Sequence, residues 1–167
     1  MKKKNDGSAR RRITIERTHQ ASIEDLWSLW TTKEGIESWW GPDGFAVKVH
    51  KLDLRPGGEL RYSMTATAQP QVQFMKKAGM PLTTEVQLTY TEVVANRRLA
   101  YTQLADFIPG VKPYDVTTAV EFHAQGGSVH MVVTFDAMHD DQWTERAKMG
   151  RESELRKLVK VLAGKSR

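Results

Sequence analysis

Hydrophobic and polar residues alternate over most of the chain between residues 13 and 135, as in β-strands with one buried face. The alternating stretches are 13–19, 45–54, 60–64, 86–90, 99–104, 116–122 and 129–135. The alternation changes phase after Val49, which predicts a β-bulge near His50 and Lys51. Gly126 and Gly127 predict a two-residue hairpin turn. The pattern therefore predicts six or seven antiparallel strands.

Two short helices are predicted after the first strand. Ser22 can cap the first helix, with Asp25 three residues later. An apolar face at helical spacing follows, formed by Ile23, Leu26, Trp27 and Trp30. The second helix is predicted over Lys33–Trp39, because Gly41 and Pro42 end it.

The last predicted element is a long helix that Asp140 or Asp141 can cap. Its apolar stripe is Trp143, Ala147, Gly150, Leu155, Leu158 and Leu162, and charged residues including Arg151 are assigned to the rest of the surface. This helix is the only long amphipathic element available to cover the apolar face of the sheet, so we expect an α+β fold in which the curved sheet wraps around it.

Gly150 is unexpected in a helix interior, where glycine costs about 1 kcal/mol relative to alanine. Two explanations are open. The helix approaches a bulky residue of the sheet closely at this point, or the missing side chain leaves room for a ligand.

The charge distribution argues against a nucleic-acid-binding domain. The net charge is +5, and the segment 1–12, with six basic residues and one acidic residue, accounts for all of it. A domain body without net charge lacks the broad basic face that phosphate binding needs. We predict a disordered basic tail over 1–12, one domain over 13–163 and no nucleic-acid partner.

Composition excludes further classes of function. The chain has no cysteine, which excludes thiol catalysis and cysteine metal sites and favours a cytoplasmic location. No apolar run is long enough for a membrane span or a secretory signal. The predicted hairpin places His123 opposite His130 on the outer face, and without a nearby carboxylate they make a poor zinc site. We expect no metal and no cofactor.

Catalytic groups are not evident in the sequence. Ser63 is predicted to point outward with no histidine near it, so we assign no catalytic residue. Tyr62, Tyr90, Tyr101 and Tyr114 could donate hydrogen bonds to a ligand, or could be core residues whose hydroxyl groups are satisfied locally.

Three segments carry a resemblance to a known family. They are TTKEGIESWWGPDGF (Thr31–Phe45), LDLRPGGELRYSM (Leu52–Met64) and MVVTFDAMHDDQWTERAKMG (Met131–Gly150). They resemble the activator-of-Hsp90-ATPase (AHSA1-like) branch of the START/SRPBCC superfamily. The resemblance implies a helix-grip fold with a cavity between the sheet and the C-terminal helix. It does not fix the activity, because superfamily members include lipid and hormone binders, aromatase/cyclases and oxygenase domains.

We therefore predict a binding protein for a small hydrophobic molecule, such as a lipid, an aromatic compound or a polyketide-like compound. The alternatives are an enzyme of aromatase/cyclase or hydrolase type and a chaperone-associated protein-binding module, and monomer and homodimer both stay open. The predicted cavity lining is Trp39, Trp40, Tyr62, Met64, Phe74, Met75, Tyr101, Phe107, Trp143 and Gly150. The segment Gln71–Met80 is predicted as a short helix between Pro70 and Pro81. It is either a lid over the cavity or a surface loop, and Asp106–Pro113 is a second candidate gate.

Overall fold

The computed structural model describes residues 11–106 and 108–165. The strands are β1 (Arg12–His19), β2 (Phe45–Leu52), β3 (Glu59–Ala66), β4 (Thr83–Val94), β5 (Arg98–Ala105), β6 (Tyr114–Gln125) and β7 (Ser128–Asp136). The helices are α1 (Ile23–Thr31), α2 (Lys33–Trp39), α3 (Gln69–Lys77) and α4 (Asp141–Lys165).

All seven strands form one antiparallel sheet in the order β1-β7-β6-β5-β4-β3-β2. Consecutive strands from β2 to β7 are neighbours, and β1 closes the sheet beside β7. The predicted α+β helix-grip fold is confirmed, because buried residues of the long helix α4 share one core with the inner face of this curved sheet. No described helix is long and apolar enough to cross a membrane.

Local signals in the sequence position the strands. The register of β2 against β3 shifts between Val49 and Lys51, which confirms the predicted bulge. Gln125 pairs with Ser128 and His123 with His130, which confirms the two-residue turn at Gly126 and Gly127. Gly57 has a φ of +86°, and a Cβ on Gly58 would collide with the Asp53 carbonyl oxygen, so this glycine pair is required by a tight turn.

The helix caps follow the sequence closely. The Ser22 hydroxyl accepts the N–H of Asp25 at 3.1 Å, and the Asp140 carboxylate accepts the N–H of Trp143 at 2.7 Å. The segment predicted as helix over Gln71–Met80 is α3, which begins two residues earlier because Pro70 occupies its first turn.

The predicted basic tail, residues 1–12, extends two residues too far into the folded domain. Arg12 begins β1 and pairs with Asp136, and the Arg11 carbonyl accepts the N–H of Ala137 at 2.7 Å. Arg11 and Arg12 therefore belong to the fold. The prediction of a disordered tail falls otherwise on residues 1–10, which lie outside the described residues.

Candidate functional site

A cavity of about 690 Å³ lies between the concave face of the sheet and the N-terminal half of α4. Strands β3 to β7 form its floor, with Tyr62, Val86 and Phe135 among the side chains that line it. Helix α3 and the connection after α2 close two further sides. This volume is in the range of small-molecule sites.

Nine of the ten residues predicted as lining border this cavity. They are Trp39, Trp40, Tyr62, Met64, Phe74, Met75, Tyr101, Trp143 and Gly150. The tenth, Phe107, lies outside the described residues. That these side chains bind a ligand stays a prediction.

The cavity opens to solvent between α3 and α4. Phe74 and Met149 border it, and yet they are 52% and 60% exposed, respectively. Met75, next to Phe74, is buried. Helix α3 thus has one side chain in the core and one at the mouth, as a cover over the cavity would. Movement of α3 as a lid, and gating by Asp106–Pro113, stay predictions.

Trp39 and Trp40 are buried and also border the cavity, so each ring belongs both to the core and to the cavity wall. Their ring centroids lie 4.6 Å and 6.1 Å from that of Trp30 in edge-to-face contacts. The Trp39 indole N–H donates to the Leu29 carbonyl at 2.7 Å. The three rings pack against one another and form the wall of the cavity on the side of α1 and α2.

Gly150 has open space where a side chain would begin, since no atom lies within 4 Å of an added Cβ apart from its own helix. Close approach to a residue of the sheet is therefore wrong as the explanation of this glycine. The second explanation, room beside the helix, agrees with the position of Gly150 on the cavity wall.

Arg151 is the main polar feature of the cavity. Its guanidinium donates to the Tyr101 hydroxyl at 3.0 Å and to the Thr118 hydroxyl at 2.6 Å. Its Cζ atom lies 5.1 Å from the centre of the Phe135 ring. Burial alone would lower the pKa of Arg151, but the nearby Tyr101 and Glu154 outweigh burial and the pKa is raised, so the side chain is charged.

Glu154 lies one helical turn further along the same wall. Its carboxylate accepts the N–H of Gly41 at 2.8 Å, and Lys157 donates to the Gly41 carbonyl, also at 2.8 Å. Burial raises the pKa of Glu154, and Arg151, the Gly41 N–H and Lys157 oppose only part of that increase. These two hydrogen bonds, together with the 2.8 Å bond from the Asp43 N–H to Ser153, fix the chain after α2 to the middle of α4.

Tyr62 completes the polar group of the cavity. Its hydroxyl forms no hydrogen bond with a described residue, although the ring packs edge-on against Trp40 at 5.5 Å. Burial raises the pKa of Tyr62, and the negative charge of Glu154 adds to the effect. The hydroxyl is therefore protonated and can donate to a ligand. The interpretation that all four tyrosine hydroxyl groups are satisfied locally is wrong for Tyr62 and for Tyr90, whose buried hydroxyl has no hydrogen-bond partner among the described residues.

Sequence analysis missed Arg151 and Glu154 by assigning Arg151 to the polar surface of α4. The spacing contained the signal: Ala147, Arg151, Glu154 and Leu158 follow one another at intervals of four, three and four residues. This spacing places all four on one helix face. Charged residues were assigned to the solvent side by default, which fails where a helix faces a cavity.

The structure differs from the prediction at three histidines, His50, His123 and His130. His50 lies 3.1 Å from the Ser63 hydroxyl, because both side chains leave the same outer face of the sheet beside the bulge. The predicted absence of carboxylates near the hairpin histidines is also wrong: His130 contacts Glu16 at 2.8 Å and His123 contacts Glu121 at 3.2 Å. In the described part of the chain, no group of three or more such side chains is placed to hold a metal ion.

The family model for Activator of Hsp90 ATPase homolog 1-like proteins matches residues 20–163. The chain belongs to this family. The resemblance to the AHSA1-like branch of the START/SRPBCC superfamily is thereby confirmed. No curated protein matches the sequence at a significant level.

Solved structures with this fold include two that carry the family name. A crystal structure of a Chromobacterium violaceum protein has a TM-score of 0.74 at 21% identity, covering 90% of this chain and 96% of that one. The crystal structure of the AHSA1 protein from Silicibacter pomeroyi has a TM-score of 0.71 at 21% identity, covering 93% and 99%. An AHSA1-like protein from Aeromonas hydrophila, solved in solution, has a TM-score of 0.64 at 22% identity, covering 89% and 92%. At such identities, these similarities establish the fold alone.

Proposed function

We propose that this protein binds a small, mainly apolar molecule in the cavity between the sheet and α4. The observation that carries the proposal is the cavity itself, of about 690 Å³, with a mouth between Phe74 and Met149. A sheet packed directly on its helix would leave no such volume, because protein interiors are close-packed. Family membership is compatible with ligand binding but gives no ligand.

The lining supports an apolar occupant with a polar end. Aromatic and aliphatic side chains form most of the wall, whereas Arg151, Glu154 and the hydroxyl groups of Tyr62 and Tyr101 lie together at one place in it. A few convergent polar groups in an apolar wall are typical of sites that fix a ligand's orientation.

Binding can be tested with N-phenyl-1-naphthylamine, a neutral probe that fluoresces in apolar surroundings. We expect the wild type to bind one equivalent. The variant Gly150→Phe should weaken binding at least about tenfold, because the ring takes up volume that a ligand needs. Gly164→Phe is the matched control: it makes the same change on the same helix, also where an added Cβ meets nothing within 4 Å, but away from the cavity.

Equal affinity of the probe for the wild type and Gly150→Phe would contradict binding in this cavity. A lack of binding by the wild type would contradict it as well. Native mass spectrometry of protein purified from its own host then searches for a retained small molecule, whose mass would identify the natural ligand.

A second candidate function is catalysis in the same cavity. It requires at least two ionisable or hydroxyl groups that converge inside the cavity, and Arg151, Glu154 and Tyr62 meet this requirement. A carboxyl whose pKa is raised by burial can exchange a proton with a bound substrate, while Arg151 stabilises negative charge on it. Turnover of the retained molecule by wild type but not by Glu154→Gln would distinguish an enzyme from a binding protein.

A further inference from the structure

Hydrogen-bond donors of Arg151, Tyr101 and Tyr62 lie together at one place in the cavity wall. Arg151 uses two of its five N–H groups on Tyr101 and Thr118. The Tyr101 hydroxyl accepts one of those bonds, so its own proton is directed elsewhere. The Tyr62 hydroxyl has no partner among the described residues. A ligand group with several acceptor sites would satisfy these donors.

The positive charge of Arg151 has no direct counter-ion. Its contacts are two neutral hydroxyl groups and the face of the Phe135 ring, and no described carboxylate forms an ion pair with it. A charge removed from bulk water without a partner is unfavourable. Guanidinium groups bind carboxylates with two parallel hydrogen bonds, which satisfies both the charge and the unused N–H groups.

Glu154 acts on the charge of Arg151 at a distance, but it forms no ion pair with the guanidinium. One of its oxygens accepts the N–H of Gly41, and Lys157, held at the Gly41 carbonyl, lies close enough to act on its charge. Glu154 is thus directed toward the connection after α2. The unused N–H groups of Arg151 therefore remain available to whatever occupies the cavity.

We infer that the ligand of this cavity is an amphiphilic monocarboxylic acid, whose carboxylate binds Arg151 with the hydroxyl groups of Tyr62 and Tyr101 and whose apolar part extends toward Phe74 and Met149. This inference rests on the proposed function, since it names the class of molecule that the same cavity takes. It also assigns Arg151 as the residue that selects acids over neutral molecules.

The test uses dodecanoate and 1-dodecanol, which share a chain length and differ in the head group. Each competes with N-phenyl-1-naphthylamine at neutral pH. We expect dodecanoate to displace the probe from the wild type at a concentration about ten- to a hundredfold lower than 1-dodecanol, because a hydrogen bond to a charged group contributes about 1.5–3 kcal/mol. In Arg151→Met this advantage should disappear while the neutral probe still binds.

Two further variants keep the result interpretable. Lys160→Met removes one positive charge from the exposed side of α4, away from the cavity, and should keep the full preference for dodecanoate. Arg151→Lys retains the charge but not the planar pair of donors, so we expect a preference between those of the wild type and Arg151→Met. It serves as the test if Arg151→Met fails to fold.

The outcomes separate the two proposals. If the wild type binds the neutral probe but releases it equally to dodecanoate and 1-dodecanol, the inference about acids is wrong and the binding cavity stands. A preference for dodecanoate that survives in Arg151→Met would also overturn it. Failure of the wild type to bind the probe at all overturns the proposed function itself.

Discussion

The two halves of α4 meet the rest of the protein in different ways. In the C-terminal half, Leu155, Leu158 and Leu162 are buried in one cluster with side chains of α1 and α2, such as Leu26 and Ile36. We call this region the packed end. In the N-terminal half, Ala147, Gly150, Arg151 and Glu154 face the cavity instead, and this region is the open end.

This difference shows how one helix can stabilise the fold and leave a cavity beside the sheet. Large aliphatic side chains fill the space at the packed end, so that end supplies the buried apolar area that stabilises the fold. Ala147 and Gly150 at the open end leave volume beside the sheet, and charged residues there, including Arg151 and Glu154, provide polarity. The hydrogen bonds from Gly41 and Asp43 to Glu154 and Ser153 lie at the border between the two ends.

The largest effect on stability is expected from a cavity made at the packed end. Leu158 is fully buried, and Leu158→Ala should lower the free energy of unfolding by about 2–5 kcal/mol, since lost burial and an unfilled space both contribute. Urea denaturation measures this change. Probe binding by the molecules that remain folded should stay near that of the wild type, because Leu158 does not line the cavity.

The exposed aliphatic residue Val159 is the matched control for that comparison. It is the next residue on the same helix, and Val159→Ala should change the free energy of unfolding far less, because about half of the side chain is already in water. If the two substitutions were equally destabilising, the division of α4 into a packed and an open end would be wrong.

Most of the fold could be predicted from the sequence because its signals are local. The bulge at His50, the turn at Gly126 and Gly127 and the cap at Ser22 each depend on a few neighbouring residues and on the alternation around them. Tyr62, Met64 and Tyr101 border the cavity for the same reason, because they lie on the inner faces of strands. A side chain on the inner face of a strand either packs in the core or borders the cavity, and periodicity identifies the face.

The polar residues of the site could not be predicted from periodicity in the same way. Arg151 and Glu154 lie on the inner face of α4, as Ala147 and Leu158 do, but a charged residue there is interpreted as exposed unless the cavity is known. The pairing of His50 with Ser63 depends on a bulge that brings two outward side chains within 3.1 Å. Such contacts depend on the tertiary arrangement, which a single sequence does not supply.

Substitutions of two glycines, one at each end, should change the free energy of unfolding by an intermediate amount and in opposite directions. Gly150→Ala should raise the free energy of unfolding by about 1 kcal/mol, because alanine favours the helix and its Cβ enters open space. Gly35→Ala, in α2 at the packed end, should be destabilising despite the same gain in helix propensity. There, a Cβ would collide with the Ser28 carbonyl oxygen and the Leu29 backbone.

Thermal unfolding of both variants measures these opposite changes. Stabilisation by Gly35→Ala, or destabilisation by Gly150→Ala, would contradict the described packing of the respective end.

The smallest expected effect concerns the protonation of Glu154 at the border between the two ends. Burial raises the pKa of this carboxyl in the folded protein, so its protonated form contributes stability that is fully present below the unfolded pKa and is lost as the pH rises through the folded pKa. Glu154→Gln cannot lose that proton, and the amide oxygen can still accept the N–H of Gly41. The variant should therefore gain stability relative to the wild type as the pH rises from about 4 to 7. Arg151, the Gly41 N–H and Lys157 limit the size of this change, because each favours the ionised form.

Urea denaturation across the pH series gives the difference, and Glu152→Gln, on the same helix but away from the cavity, measures the background effect of removing one negative charge. A relative stability of Glu154→Gln that falls with rising pH would show that the positive charges around Glu154 outweigh its burial, and that the border of the open end is held together by an ionised carboxylate.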